Sequence, residues 1–472
     1  MSLKINIISL FLLSSLLCIT SCSEGSSDGM IIVTQALGND GKPDYSNGTS
    51  WRYIEKTRLV AIEPDQPEQT SLLTESFYSA RSPEISYDGE KLLFAAQQNQ
   101  GDPWQIWEMN LKNLKARQIT SSQENAIDPS YLPGNRLVFT RSTPGDSLKA
   151  GHALFTCSLD GSDLKRITFN PHAYFAPMVM KDGRIISISR QIYPVQNSPV
   201  LMASRPDGTK SELFYKGDKG NELVSKAWET ANGKIVFIET DSSDGKGSIV
   251  SINYNRPLHS RVNLSASTEG DFYFALPLHD NELLVSYRSS ESEKFALYSF
   301  DSEKGILGRQ LHKSSEYDII EAVVVGKHER PKKLPSEVDM GVKSGLLLCQ
   351  NINITGMQSP ENNLSPQVAD RIEIIGIDST LGVVKVEEDG SFLLRVSADM
   401  PFRIRTMNAE GTTINGPGSW YWLRPNERRG CTGCHEDHEI VPANRYAMAV
   451  SKKPVTIPVQ ISDIEEKEVE LE

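Results

Sequence analysis

The chain has 472 residues, a formal net charge of −12, 38% hydrophobic and 23% charged residues. That length calls for about two or three domains, and the composition is that of a soluble globular protein. An acidic balance with no basic stripe and no Arg-rich helix excludes nucleic acid as a partner.

The chain opens "MSLKINIISLFLLSSLLCITSC", in which Lys4 precedes an apolar run from Ile5 to Ile19. The run is shorter than a comfortable membrane span and reads as the core of a signal peptide. It ends in an apolar residue, two small residues and Cys22, which resembles a bacterial lipoprotein signal. The resemblance implies cleavage before Cys22 and lipid attachment to its thiol. The alternative is an ordinary secretory signal with an incidental cysteine. Both readings put the chain outside the cytoplasm; the lipid adds an anchor in the outer membrane or on another periplasm-facing surface. Residues 1–21 are thus the expected signal, and 22–50 a polar tether and N-terminal segment. Of the six cysteines, Cys18 goes with the signal and Cys22 carries the lipid, while Cys157 and Cys349 are isolated. The latter two read as buried thiols, with a long-range disulfide as the alternative.

From about Ser82 to His312 the sequence repeats. Successive copies begin "SPEISYDGEKLLFAAQ", "IDPSYLPGNRLVFTRS", "FAPMVMKDGRIISISRQ", "KAWETANGKIVFIETD" and "YFALPLHDNELLVSYRS". Their turn glycines, Gly89, Gly134, Gly183 and Gly233, are 45, 49 and 50 residues apart. Each copy has a Pro or aromatic start, a two-residue turn that takes φ > 0, an apolar strand, and then further strands. Four short strands per unit at this period predict a β-propeller blade, and blades must close into a ring to cover their faces. "SEYDIIEAVVVGKHERP" reads as the start of another blade, and "TRLVAIEPDQPEQTSLLT" as the strands that complete it. About six blades over residues 51–335 are expected. The copies resemble TolB-like propellers, particularly in "SLDGSDLKRITFN" and "MKDGRIISISR"; that likeness implies a fold and a periplasmic setting but no chemistry.

Beyond a Pro-containing, basic boundary at "HERPKKLPSEVD", strands are expected in "SGLLLCQNINITG", "DRIEIIGID", "LGVVKVEEDGSFLLRVSA" and "MPFRIRTMNAEGT". "VVKVEEDGSFLLRV" is a hairpin signal. Residues 336–418 are therefore expected to form a small β-sandwich-like domain. They are followed by a haem segment at 419–460 and a solvated acidic tail at 461–472. The fold class expected is all-β: a TolB-like propeller of about six blades, a small sandwich-like domain and a C-terminal c-type haem segment.

That segment contains "RRGCTGCHEDHE". Cys-x-x-Cys-His is the attachment signature of c-type haem. Two thiols, Cys431 and Cys434, add across the porphyrin vinyl groups, and the adjacent His435 ligates the iron. Zinc bound by Cys431, Cys434, His435 and His438 is an alternative, but zinc sites separate their ligand pairs by a loop that lets four donors converge. A redox dithiol would need a strand–helix setting that the sequence does not show. Arg428 and Arg429 are candidates for the haem propionates. His438 is too near His435 to reach the opposite haem face. Met448, His172, His152 and the other propeller histidines are candidates for the second axial position, with no spacing to choose among them.

The flanks "NGPGSWYWLRPNERRGCTGCHEDHEIVPANR" resemble the C-terminal haem segment of the hydrazine synthase alpha-subunit family. The matching features are Ser419–Trp420, Leu423 to Pro425, Glu427–Arg428, Cys431, Cys434, His435 and Glu436. "LGVVKVEEDGSFLLRVSADMPFRIRTMNAEG" looks like the domain preceding that haem, and "HERPKKLPSEVD" like the link out of its propeller. The resemblance implies a catalytic haem in a further, N-terminal haem region. No second Cys-x-x-Cys-His precedes Cys431, and no histidine precedes His152. What remains is expected to be one haem c for electron transfer, with the propeller docking a redox partner protein and a lipid anchor on the membrane. The alternatives are a haem enzyme acting on a small nitrogen or oxygen compound, and a binding or assembly lipoprotein with a structural haem.

Overall fold

The structure is a computed structural model that describes residues 29–38, 52–144, 151–217, 221–241, 245–279, 281–355, 368–433 and 446–458. Among these, five sheets form the six blades of a propeller, blades 2 and 3 being joined in one eight-stranded sheet by the pairing of His152 with Ala173. Blade 1 runs outward through Ser79–Ile85, Lys91–Gln97, Gln105–Asn110 and Ala116–Gln118. Blade 2 comprises Ala126–Leu132, Arg136–Ser142, His152–Ser158 and Lys165–Arg166. Blade 3 comprises His172–Val179, Ile185–Gln191, Val200–Ser204 and Glu212–Lys216. Blade 4 centres on Lys234–Asp241 and Gly247–Asn253, and blade 5 on Asp271–His279 and Glu282–Arg288. Within each of these the strands pair antiparallel with their neighbours in sequence, as the turn spacing predicts.

Blade 6 closes the ring. Its inner strand, Tyr317–Val324, pairs antiparallel with Ile31–Leu37 from the start of the described chain. Thr57–Glu63 and Gln66–Leu72 follow outward, as read from "TRLVAIEPDQPEQTSLLT". Ile31–Leu37 lies inside the stretch expected to be tether and N-terminal segment, so the propeller takes a strand from before residue 51. The strand is buried at six of its seven positions and seals the ring edge to edge, which removes the exposed sheet edges of both ends.

The repeated Pro starts have a structural meaning. Ser82, Asp128 and Ala176 each precede a proline and adopt φ of 55°, 54° and 48°. Each sits at a register break in its inner strand, between Arg81 and Glu84, Ile127 and Ser130, and Phe175 and Met178. The breaks leave the backbone N–H groups of Ser82 and Ala176 free of the ladder, and both bond buried carboxylates. Asp128 there accepts from Ala176 N at 2.9 Å and Ser82 Oγ at 3.0 Å, and pairs with Arg52. Glu321 accepts from Arg81 at 2.8 Å, Ser82 N at 2.8 Å and Thr34 Oγ1 at 3.0 Å. Burial pushes both carboxyls up, but Arg52 and Arg81 outweigh it and hold both below the usual range.

The C-terminal domain is a sandwich of two four-stranded sheets, as expected. One has the order Arg428–Cys431, Ser344–Cys349, Phe392–Ser397, Val455–Ile457; the other Thr380–Lys385, Arg371–Ile375, Arg403–Met407, Thr413–Asn415. Alternation fills the core: Leu347, Cys349, Ile372, Ile374, Leu394, Val396, Phe402 and Ile404 point inward from both sheets. The segment expected to be a separate haem unit is not separate here. Its strands Arg428–Cys431 and Val455–Ile457 are the two edges of one sandwich sheet, each parallel to its neighbour. Cys157 is buried in blade 2 and Cys349 in the sandwich, and no disulfide joins them. Burial pushes the Cys157 thiol up to about 11, so it is inert.

The linker between the domains lies along the propeller. His328 N donates to Tyr87 O, Lys332 N to Lys181 O, and Glu337 N to Asp207 Oδ2. The turn glycine Gly183, at φ 91°, is where the linker passes: a Cβ there would meet the Lys332 carbonyl oxygen at 2.2 Å.

Candidate functional site

The chain from Trp420 to Arg424 is extended between two bodies, and its side chains alternate between them. Trp420, Trp422 and Arg424 face the propeller. Trp420 Nε1 donates to Tyr193 O at 3.0 Å, and Arg403 caps its ring at 4.6 Å. Trp422, 1% exposed, inserts among Leu132, Val138, Leu154, Ile167, Tyr174 and Ile185 of blades 2 and 3. Arg424 lies 4.6 Å over Phe169, donates through Nε to Asp207 O at 3.0 Å and pairs with Asp399 of the sandwich. Tyr421 and Leu423 pack on the sandwich core instead. A period of two thus sews the domains together.

Glu427 completes the joint. It is 1% exposed, and its two carboxylate oxygens accept from Lys210 N and Arg424 N, each at 2.8 Å. Arg429 Nη2 is 3.3 Å from the same carboxylate. The Leu-Arg-Pro and Glu-Arg features read as signature residues therefore act as structural clasps. The sequence pattern Trp-x-Trp-x-Arg, two apart, was the available signal for this role.

The strand Arg428–Cys431 leaves this clasp and pairs in parallel with Ser344–Cys349, bringing Cys431 into register with Cys349. Arg429 and Cys431 share one face of it, and Arg428 and Gly430 the other. Cys431 is partly exposed at the wall of a cavity of about 1080 Å³ between blade 3 and the sandwich. Arg428, Arg429, Trp420 and Tyr421 line the sandwich side, and His172, Ser189, Gln191 and Met202 the propeller side. Cys434, His435 and His438 lie outside the described residues, as do Cys22 and the acidic tail.

His172 begins the inner strand of blade 3. Its Nδ1 is 2.8 Å from Ser189 Oγ, and its ring stacks on Tyr174 with centroids 6.1 Å apart. Its Nε2 is shielded from solvent and has no hydrogen-bond partner. Burial pushes the imidazole down to about 3, so it is neutral at ordinary pH. His152, by contrast, uses its Nε2 on Tyr53 Oη at 2.5 Å, and Met448 sits 42% exposed on a short 3₁₀ turn.

These residues fit a haem. The cavity reaches the size of ordinary cofactor pockets, about 300–1,000 Å³. Cys431 of the motif, Arg428, Arg429 and the neutral His172 are among the residues that line it. Three of the four residues of the zinc alternative, Cys434, His435 and His438, lie outside the described residues.

Comparison with known proteins places the chain. The family model described as the hydrazine synthase alpha subunit middle domain matches residues 348–436. Hydrazine synthase subunit alpha of Kuenenia stuttgartiensis is 20% identical over 513 residues, covering 81% of this chain and 63% of the relative. The chain thus spans less than two thirds of that relative's length. The solved Kuenenia stuttgartiensis hydrazine synthase superposes with a TM-score of 0.76 at 19% identity, covering 91% of this chain and 73% of that one. TolB from Acinetobacter baumannii gives 0.45 at 16% identity, covering 63% of this chain and 66% of that one. The match to hydrazine synthase covers propeller and sandwich together. The segment read as the family's C-terminal haem segment falls in what the family description calls its middle domain.

Proposed function

We propose that this relative of the hydrazine synthase alpha subunit is an extracytoplasmic cytochrome that carries one haem c and passes electrons. Cys431 and Cys434 would hold the haem by thioethers and His435 would ligate its iron; bound there, the haem supplies one-electron chemistry. The observation that carries the reading is the position of Cys431, the first thiol of the motif, on the wall of the interdomain cavity.

The chain's own residues have distinct tasks. Trp422 and Arg424 fix the sandwich on blades 2 and 3 and so set the width of the cavity. Arg428 and Arg429 offer cations for the propionates. The propeller supplies the opposite wall and a broad surface for a redox partner protein. Cys22 would carry a lipid anchor, leaving the propeller beside a periplasm-facing membrane.

The test is a spectrum of the chain matured with the c-type cytochrome machinery. A covalent pyridine-haemochrome band should appear and should shift in the Cys431→Ser protein, where one thioether is lost. A wild-type chain without covalent haem would sink the reading. A second reading is a haem enzyme acting on a small nitrogen or oxygen compound. It is favoured by the relation to hydrazine synthase and by the size and polarity of the cavity. CO binding to the ferrous protein separates them: an open iron face binds CO readily, and a six-coordinate electron carrier does not.

A further inference from the structure

We infer that the groove where blades 2 and 3, the interdomain linker and the sandwich meet is the seat of this chain's own acidic segment, residues 459–472. The groove shares no residue with the cavity beside blade 3, and the inference does not depend on the haem reading.

The groove encloses about 590 Å³. Part of its lining is apolar: Leu132 and Phe169 from the propeller, and Leu334, Val338 and Met340 from the linker, of which Met340 is 60% exposed. Six cationic residues line it as well, Arg136, Lys165, Arg166, Lys332, Lys333 and Arg424, against three acidic ones. The three acids are already engaged. Asp163 pairs with Arg136 and Lys165, Asp399 pairs with Arg424, and Asp207 accepts from Glu337 N at 2.7 Å. Lys332 and Lys333 are both exposed and have no ion-pair partner among the described residues. A chain of net charge −12 thus keeps apolar surface here beside positive charge that its neighbours do not balance. A groove of this kind fits a segment that combines carboxylates with apolar side chains.

The chain carries such a segment. "VQISDIEEKEVELE", residues 459–472, has six acidic side chains and one lysine, with apolar residues at Ile461, Ile464, Val469 and Leu471. From Glu468 to Glu472 acidic and apolar residues alternate. An extended backbone puts Val469 and Leu471 on one side and the glutamates on the other.

The sandwich delivers the segment close to the groove. Val455–Ile457 runs parallel to Phe392–Ser397, with Ile457 beside Val396. Asp399, which lines the groove, is three residues beyond Val396. With strands about 4.8 Å apart and about 3.4 Å per residue, Ile457 lies within about 15 Å of Asp399. Residues 459–472 can span about 45–50 Å, several times that distance. Composition alone reads the segment as solvated; a cationic, partly apolar groove within reach gives it a seat. Seated there, it would cross propeller, linker and sandwich and add a fastening to the joint held by Trp422, Arg424 and Glu427.

The experiment treats the dilute full-length chain with a carbodiimide, which joins lysine amines to carboxylates in contact, and maps the links by mass spectrometry. Lys332 or Lys333 should be joined to an acidic residue of 459–472 within one chain, and the yield should fall at about 0.5 M salt. A second readout is cutting of the segment by a glutamate-specific protease. Lys332→Gln with Lys333→Gln should speed it by about threefold to tenfold, and Val469→Ser with Leu471→Ser should speed it too. If the lysine variant does not accumulate, the wild-type links still decide. The absence of an intrachain link from either lysine to the segment overturns the inference. Links formed only between copies overturn it as well, and assign the groove to a second molecule. A cutting rate unchanged in both variants overturns it. A rate raised by the lysine pair but not by the apolar pair reduces the contact to attraction at a distance and also overturns the seat. All of these results leave the cytochrome assignment untouched.

Discussion

Two buried polar regions of this molecule are built in opposite ways. At the propeller axis, Arg52, Arg81, Asp128 and Glu321 are interlocked, with Ser82, Thr34 and the Ala176 amide filling the remaining acceptor sites. The space left is about 40 Å³, enough for a few waters at most. Between blade 3 and the sandwich the cavity is about 1080 Å³, and its two sides come from different domains. The axis is a set of buried ion pairs in a closed space, although Arg81 Nε in it lacks a partner. The second region is a large space between two domains. The two regions therefore should respond differently to the loss of a side chain.

The largest effect belongs to the axis. Arg81→Ala removes a cation that is 2% exposed and takes from Glu321 its directly bonded cation, leaving it the neutral donors Ser82 N and Thr34 Oγ1. Leaving one buried charge unpaired costs about 3–5 kcal/mol, so the transition midpoint in a denaturant titration should fall accordingly. A loss below about 1 kcal/mol would show that water reaches Glu321 and that the axis is not closed. Next is the latch that gives the cavity its second wall. Trp422→Ala empties a fully buried indole site between blades 2 and 3, which costs about 3 kcal/mol. Limited proteolysis of the 325–343 linker should accelerate in the variant. An unchanged cleavage rate would mean that Arg424 and Glu427 hold the domains without the indole.

How much of this was visible beforehand depended on whether a feature repeats. The blades were legible because the same turn and strand recur, and one copy checks another. The closing strand Ile31–Leu37 was not, because it stands alone in sequence and its partner is Tyr317–Val324, far along the chain. The axis network was not legible either: Arg52, Asp128 and Glu321 come together only when the ring closes. At the site, the motif thiols were legible from spacing alone. Of the candidate histidines, His172 lines the cavity and His152 does not, a difference that spacing in the sequence does not carry. That distinction exists only in three dimensions.

A smaller effect, visible through pH, comes from the cavity side. In the haem-free chain, the His172 imidazole is pushed by burial from 6.5 down to about 3. Between those values the unfolded chain binds a proton that the folded chain does not. Stability present above pH 6.5 is therefore lost as the pH falls through this window, at up to about 1.4 kcal/mol per pH unit. His172→Gln should flatten the dependence of the denaturation midpoint there. The same slope in both proteins would mean that solvent reaches the ring and the cavity is wet.

The smallest stability effect is expected at Arg429, where the contrast with Arg81 is sharpest. Both are arginines beside a buried glutamate, and Glu427 is no more exposed than Glu321. Glu427 keeps two backbone donors, Lys210 N and Arg424 N, when Arg429 is gone. Arg429 Nη2 stands at 3.3 Å from that carboxylate, a long contact, so its removal gives up little. Arg429→Gln should cost no more than about 1 kcal/mol in the haem-free chain. Once haem is attached, the same substitution removes a cation from the cavity wall. A nearby cation disfavours the ferric form, so the reduction potential should fall, and more at low ionic strength than at high. Large destabilisation with an unchanged potential would assign Arg429 to the clasp rather than to the haem. The pattern of the two readouts therefore tells whether Arg429 belongs to the scaffold or to the site.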